Sequence, residues 1–356
     1  MLTQYQRQGF SLARGFVVLV MPAIHAVLLY STLPVKQGPL GMLLGFLAET
    51  SGAPLFMLLM GLFIALGREK TTAYILKRMG MLLAAGYLLN GCKLLLPYHW
   101  GWIPQQFLTD SGVTENTATQ LFLTGDILQF AAIAYACCAV LRKRITSVTW
   151  YGLAFLIVLL ITPFAWKLQC DGIPAIPLAL LNGKPPQAFF PLFPWLLYPL
   201  AGLITGALLT RLNGTDFNKL LIILTTGLAL AGYLLSLAEP PEWKTEFYRL
   251  GRGGTLFHIG LAMGWVLLFI GLAKKIRKNY FFDLLQWLSD NILLAYILQW
   301  IVIFWCFPLF GYNRLQLFSS LLAVYATATT SFLLLFFILS GSKKIKRFYE
   351  RRQPDL

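Results

Sequence analysis

The chain has 356 residues, of which 58% are hydrophobic, 15% aromatic and only 12% charged, with a mean hydropathy of +0.68. Soluble domains are about 45–50% apolar and about 25% charged, so polar surface is too scarce here for a cytosolic enzyme, a disordered chain or a secreted disulfide scaffold. The class that fits is an all-α, polytopic integral membrane bundle, read as a single domain over residues 1–356.

A hydrocarbon core about 30 Å thick needs about 20 apolar residues per helical span. Ten runs meet that need: 16–33, 40–66, 79–96, 121–141, 148–166, 191–210, 220–237, 255–273, 288–310 and 315–339. The first lacks a small-residue cleavage site after its apolar stretch and is read as a retained span. The second is over-long and interrupted at Glu49-Thr50-Ser51-Gly52-Ala53-Pro54, which suggests a short interfacial piece before the true span, because Pro54 has no backbone N–H to donate.

The formal net charge of +15 arises from 29 Lys and Arg against 14 Asp and Glu. With the N-terminus inside, 21 of the cations fall on inner segments, among them Arg7, Arg14, Arg68, Lys70, Lys77, Arg78, Arg142, Lys143, Lys278 and the tail from Lys343 to Arg352; seven fall outside. That bias places both termini in the cytosol. It also accounts for the basic excess as a topology signal, so no nucleic-acid partner is expected. The cysteines Cys92, Cys137, Cys138, Cys170 and Cys306 show no metal-ligand spacing; Cys92 and Cys170 fall near the outer face, where pairing is open. The outer loops, roughly 97–120, 167–190 and 238–254, hold Trp100, Trp102, Trp243 and Tyr248. They either wall a cavity or anchor the chain at the interface.

Ionisable groups inside a bilayer are costly and mark function by default. His25 lies nine residues into the first run, about 13 Å deep at helical rise. Arg14 precedes it by eleven residues, which returns to nearly the same azimuth, so both share one helix face about 16 Å apart. The structural alternative is a histidine satisfying a neighbouring helix and an arginine snorkelling to head groups. Glu49 and Asp126 sit near span boundaries. Either could accept a proton bond from the imidazole Nδ1 and fix its tautomer, and either could simply cap a helix. His258, His99 and Asp290 are secondary candidates. The pairs Gly41/Gly45, Gly202/Gly206 and Gly260/Gly264 suit close helix packing.

Ser11-Leu12-Ala13-Arg14-Gly15, then Met21 and His25, resembles the first helix of the transmembrane acyltransferase superfamily. That group comprises the acyltransferase 3 and heparan-alpha-glucosaminide N-acetyltransferase-like proteins. Pro54–Gly61, Gly125-Asp126-Ile127-Leu128-Gln129, Phe193-Pro194-Trp195 and Leu288–Ile297 are similar to its second, fourth, sixth and late helices, in the same order along the chain. One departure is Ser11, where the family often has an Asp.

The resemblance implies an enzyme of the cytoplasmic (inner) membrane. It would move an acyl group, commonly acetyl, from cytosolic acyl-CoA to an extracytoplasmic sugar or glycan hydroxyl or amine, with no metal; a homodimer is left open. The phosphorylated end of coenzyme A would lie near Arg14, Lys77, Arg78 and Lys143, since phosphate favours such cations. His25 would act as general base or carry the acyl group, both of which need a neutral imidazole, with Asp126 or Glu49 as its carboxylate partner. The competing readings are a proton-coupled secondary transporter or lipid-linked sugar flippase using His25, Glu49 and Asp126 as a relay, and a non-catalytic membrane subunit.

Overall fold

The structure is a computed structural model and describes residues 3–113, 116–170, 172, 174–277 and 279–352. Lys278 and the side chains of the tail cations from Lys343 to Arg352 lie outside the described residues. Among the described residues all extended regular structure is helical; pairing of strand type is confined to two isolated bridges, Ser31 with Leu315 and Gly125 with Ala188. The principal helices are α1 (Gln4–Tyr30), α2 (Pro39–Leu66), α3 (Thr72–His99), α4 (Ile127–Arg144), α5 (Val148–Ala165), α6 (Leu192–Leu209), α7 (Gly214–Leu237), α8 (Arg252–Lys275), α9 (Tyr280–Asp290), α10 (Ile292–Trp305) and α11 (Leu317–Gly341).

By length and composition, eight of these can cross a membrane, or nine if α9 and α10 are counted as one bent span. The chain is a multi-pass membrane protein. The ten apolar runs all fall on helices, with two differences. The fourth run is split: Leu121–Leu123 end a short helix, Thr117–Leu123, the chain leaves helical geometry through Asp126, and the remainder forms α4, whose last turn carries Arg142, Lys143 and Arg144. The ninth was read as straight from Leu288, but the chain turns by 86° between α9 and α10, so Leu288–Asp290 belongs to a helix crossing the direction of the next.

The interruption expected before Pro54 is present as a local departure from α-helical geometry, with Gly52 at φ −77° and ψ −117°, but it does not split off a separate interfacial piece. The helix runs on through a π-turn at Ala48–Gly52, and α3 does the same at Gly91–Leu95, just ahead of Pro97. A proline lacks its N–H and its ring crowds the carbonyl four residues back; widening the turn relieves that crowding without ending the helix. In α3 the crowded carbonyl belongs to Lys93, so the sequence itself places a distorted turn at a charged residue.

Around α1 the bundle is assembled from α2, α8, α9, α10 and α11. The N-terminus of α1 is closed by a capping box, Thr3 with Gln6. Its Phe10, Leu12, Ala13 and Val17 are essentially inaccessible and join Leu55, Leu58 and Leu62 of α2 and Ile259, Met263 and Val266 of α8 in one core. Gly15 lets α1 lie directly on α9, since a Cβ there would stand 1.9 Å from the Leu285 carbonyl oxygen.

Candidate active site

A cavity of about 480 Å³ opens at the end of the bundle where the basic residues gather. Arg14, Arg68, Lys70, Arg78 and Arg142 line it together with Glu69, and its walls farther in are apolar: Phe56, Met60 and Phe63 of α2, Leu128 and Ala131 of α4, Leu293 of α10. Its lining reaches as far as Met21, Ile127 and Tyr296. Arg142 is fixed at the mouth by the end of α2, where it donates to the carbonyls of Ile64 and, at 2.6 Å, of Gly67. These are carbonyls that a helix C-terminus leaves without intrahelical partners.

Arg14 reaches the elbow between α9 and α10. Its Nε donates to Ser289 Oγ at 2.8 Å, its guanidinium lies 4.0 Å from Asp290, and it rests 4.9 Å above the Phe63 ring. Three contacts on two helices, α9 and α2, hold the cation against the cavity wall instead of letting it snorkel away.

Next to Met21 and Tyr296 lies a polar cluster. His25 is one turn of α1 beyond Met21. Its ring stacks on Trp300, with centroids 3.9 Å apart, and its Nδ1 is 3.3 Å from Gln299 Nε2. The same amide contacts Met21 Sδ at 3.3 Å, while Gln299 Oε1 is buried without a partner. Lys93, only 4% exposed, forms an ion pair with Asp126 and sits 4.5 Å from the Trp300 ring. Asp126 also accepts from Tyr296 Oη at 3.3 Å and, through its other oxygen, caps α4 by accepting from Ile127 N at 2.8 Å.

Loops from the opposite end complete the enclosure. Gly125, next to Asp126, exchanges backbone bonds with Gln187 and Phe189 at 2.8 Å each. Loop 238–251 is tied down by Glu239, which accepts from the N–H groups of Arg252 and Gly253, and by Trp195 Nε1 donating to the Tyr248 carbonyl. Tyr248 comes close enough to Asp126 that burial and that carboxylate together hold its phenol above the usual tyrosine range. It therefore stays protonated across all physiological pH.

An acyltransferase domain family, acyltransferase 3, matches residues 7–341. The chain belongs to the acyltransferase 3 family. Searches of curated proteins and of solved structures gave no match.

As an acyltransferase, the protein brings together part of the set expected from sequence. Arg14 and Arg78 line the cavity. Lys77 is exposed and does not line it, and Lys143 is turned outward, donating to Thr72 Oγ1 at 2.8 Å. Asp126 joins the His25 cluster but pairs with Lys93, and the hydrogen-bond partner of the imidazole is Gln299, not a carboxylate. Glu49 stays on the α2 π-turn, where its electrostatic neighbour is Tyr198. His258 packs between Phe247 and Phe257. Cys92 and Cys170 are free.

The residues missed were Lys93, Tyr296, Gln299 and Trp300, and at the mouth Arg68, Lys70 and Arg142. A lysine inside an apolar run was the available signal for the first; Gln299 and Trp300 carry no such signal, because a neutral amide and an aromatic ring do not have the cost of a charge in a membrane helix.

Gln299 gives a direct test of orientation. Removing its amide leaves the imidazole free to turn on its stacking partner, and a small misplacement of a reacting group costs about 100-fold. Gln299→Leu is expected to lower kcat for acyl transfer by about that factor with KM for the donor unchanged. A variant with wild-type kcat would show that stacking alone orients the ring.

Proposed function

We propose that this acyltransferase carries an acetyl group from acyl-CoA at the basic, cytosolic end of the bundle to a hydroxyl or amine of a glycan on the other side of the cytoplasmic membrane. The observation that carries the reading is the cavity: cations at its mouth, apolar walls along its length, and an inner end one helical turn from His25. Such a sequence of surfaces suits a phosphorylated nucleotide, then an extended pantetheine arm, then a thioester. The reach required is of the order of the Arg14–His25 separation, about 16 Å along α1.

At the inner end His25 acts as general base. A half-turn of the Gln299 side-chain amide exchanges its Nε2, 3.3 Å from Nδ1, for the unpartnered Oε1; Nδ1–H then donates to that oxygen, and Nε2, with a free lone pair, takes the proton of the acceptor hydroxyl or amine as that group attacks the thioester carbonyl. The new bond joins acceptor to acyl carbon, the C–S bond breaks, and the proton returns from His25 to the leaving thiolate. Glu49, on the α2 π-turn beside Tyr198, takes no part in this scheme.

The test is to incubate purified protein with labelled acetyl-CoA, with and without cell-envelope glycans, and follow the label. Transfer to glycan that depends on the protein supports the proposal; retention of all label as acetyl-CoA overturns it. In the same assay Arg14→Ala should weaken acetyl-CoA binding by about 10-fold, the order of one charge-assisted phosphate contact, and leave the acceptor KM unchanged. A change in the acceptor KM alone would reverse the assigned orientation.

A further inference from the structure

Lys93 has no role in the scheme above, yet it is the most expensive residue in the bundle to bury. It lies on a membrane helix, is 4% exposed, and is directed inward from the π-turn at Gly91–Leu95. π-turns recur at functional sites because they re-aim one side chain. Its ammonium has three N–H groups, and among the described residues its hydrogen-bonding partner is the Asp126 carboxylate.

Its position relative to the cavity is what matters. Tyr296 and Ile127 belong to the cavity's lining. Tyr296 donates to Asp126, Ile127 is capped by Asp126, and Asp126 holds Lys93, so the ion pair stands directly behind that wall. The ammonium and the imidazole both contact the Trp300 ring, at 4.5 and 3.9 Å, so they cannot be much farther apart than those two separations laid end to end.

Resting on the acyl-transfer reading, we propose that Lys93 is the residue that offsets the negative charge formed on the acyl carbonyl oxygen during transfer, and that Asp126 serves to hold the ammonium in place. When the acceptor attacks, the carbonyl electron pair moves to oxygen. When the C–S bond breaks, the pair returns and the negative charge passes to the thiolate, which His25 protonates. A fixed cation within a site of low dielectric is worth far more to that transient charge than one in water, and needs no reorganisation at the moment of reaction. Asp126 alone would repel the oxyanion; its pairing partner supplies the field the reaction needs.

The experiment uses full-length protein in lipid nanodiscs with [14C]acetyl-CoA. Retention of label on the protein measures donor binding. Transfer to a cell-envelope glycan fraction, and release of CoA thiol with water as default acceptor, measure chemistry. Three variants are compared: Lys93→Met, Lys93→Arg, and Lys93→Met combined with Asp126→Asn, which leaves no buried charge unpaired. Donor binding is expected to stay within about 3-fold in all three. Chemistry should fall about 100-fold in Lys93→Met and in the double variant, the usual cost of one oxyanion donor, while Lys93→Arg keeps at least about 10-fold more than Lys93→Met. A double variant within 10-fold of wild type would overturn the proposal, because a merely structural ion pair is restored by neutralising both partners. Wild-type protein that fails to retain acetyl-CoA sinks the donor assignment itself. Wild-type protein that retains it and never releases CoA, with or without glycan, removes the chemistry and Lys93's part in it.

Discussion

His25→Ala should abolish acyl transfer, by at least about 1,000-fold, while the protein still inserts, runs as a single species in detergent and retains acetyl-CoA. The magnitude is that of a positioned general base. The selectivity follows from placement. The imidazole is not among the residues that line the cavity, whereas Arg14, Phe63 and Met60 are, so in the proposed binding mode the donor's nucleotide and pantetheine would rest on those three and not on His25. Its loss removes one stacked contact with Trp300 and one hydrogen bond with Gln299, together about 1–2 kcal/mol of stability. A kinetic experiment with labelled donor then separates the two chemical roles. A general base leaves no label on the protein after rapid quench, whereas an acyl carrier accumulates labelled protein in the absence of acceptor. More than a tenth of wild-type activity in His25→Ala would remove the imidazole from the mechanism.

How much of this was visible in the chain depended on whether a residue declares itself by cost. His25 and Arg14 did: a histidine deep in an apolar run and a cation eleven residues earlier lie on one face of α1 whatever surrounds them, and the cavity wall and the polar cluster both fall on that helix. The fold class was legible for the same reason, since a chain with 12% charged residues has few alternatives. Partnerships were not legible. The imidazole's neighbour could have been any polar side chain within reach of α1, and Gln299 is more than 270 residues away in sequence. The carboxylate in the cluster already had an obligation to Lys93, which no spacing announces. At the mouth, which of many clustered cations turn inward is decided by helix azimuth and by anchors such as Ile64 and Gly67 holding Arg142. The sequence places Lys143 beside Arg142, but adjacent residues on a helix point in different directions, and it was Lys143 that turned outward.

Gly202→Ala is expected to destabilise the bundle by about 3 kcal/mol, an effect out of proportion to one added methyl group. A Cβ at Gly202 would stand 1.8 Å from the carbonyl oxygen of Leu58 and 2.8 Å from the Leu62 nitrogen; reciprocally, one at Gly61 would stand 1.8 Å from the Pro199 carbonyl oxygen. The obstruction is backbone on both sides, so no rotamer change relieves it, and α2 and α6 must separate along their length. Lipid gives helices no hydrophobic reason to associate, so this close approach is what holds the pair together. Among the glycine pairs evident in the sequence, Gly202/Gly206 and the first member of Gly260/Gly264 do lie at such contacts, whereas a Cβ at Gly264 meets only the Thr225 methyl at 3.5 Å, Gly45 faces open space and Gly41 meets the chain's own Lys36. Gly45→Ala is therefore the control, expected to stay within about 0.5 kcal/mol of wild type. Gly61→Ala combined with Gly202→Ala should cost less than the two separate losses added, because both act at one contact. Thermal unfolding in detergent checks all three. Because α2 also carries Phe56, Met60 and Phe63 into the cavity, Gly202→Ala should weaken donor binding at temperatures where the protein is still folded. A Gly202→Ala variant with unchanged melting and unchanged donor binding would mean that the two backbones are not in contact in the membrane.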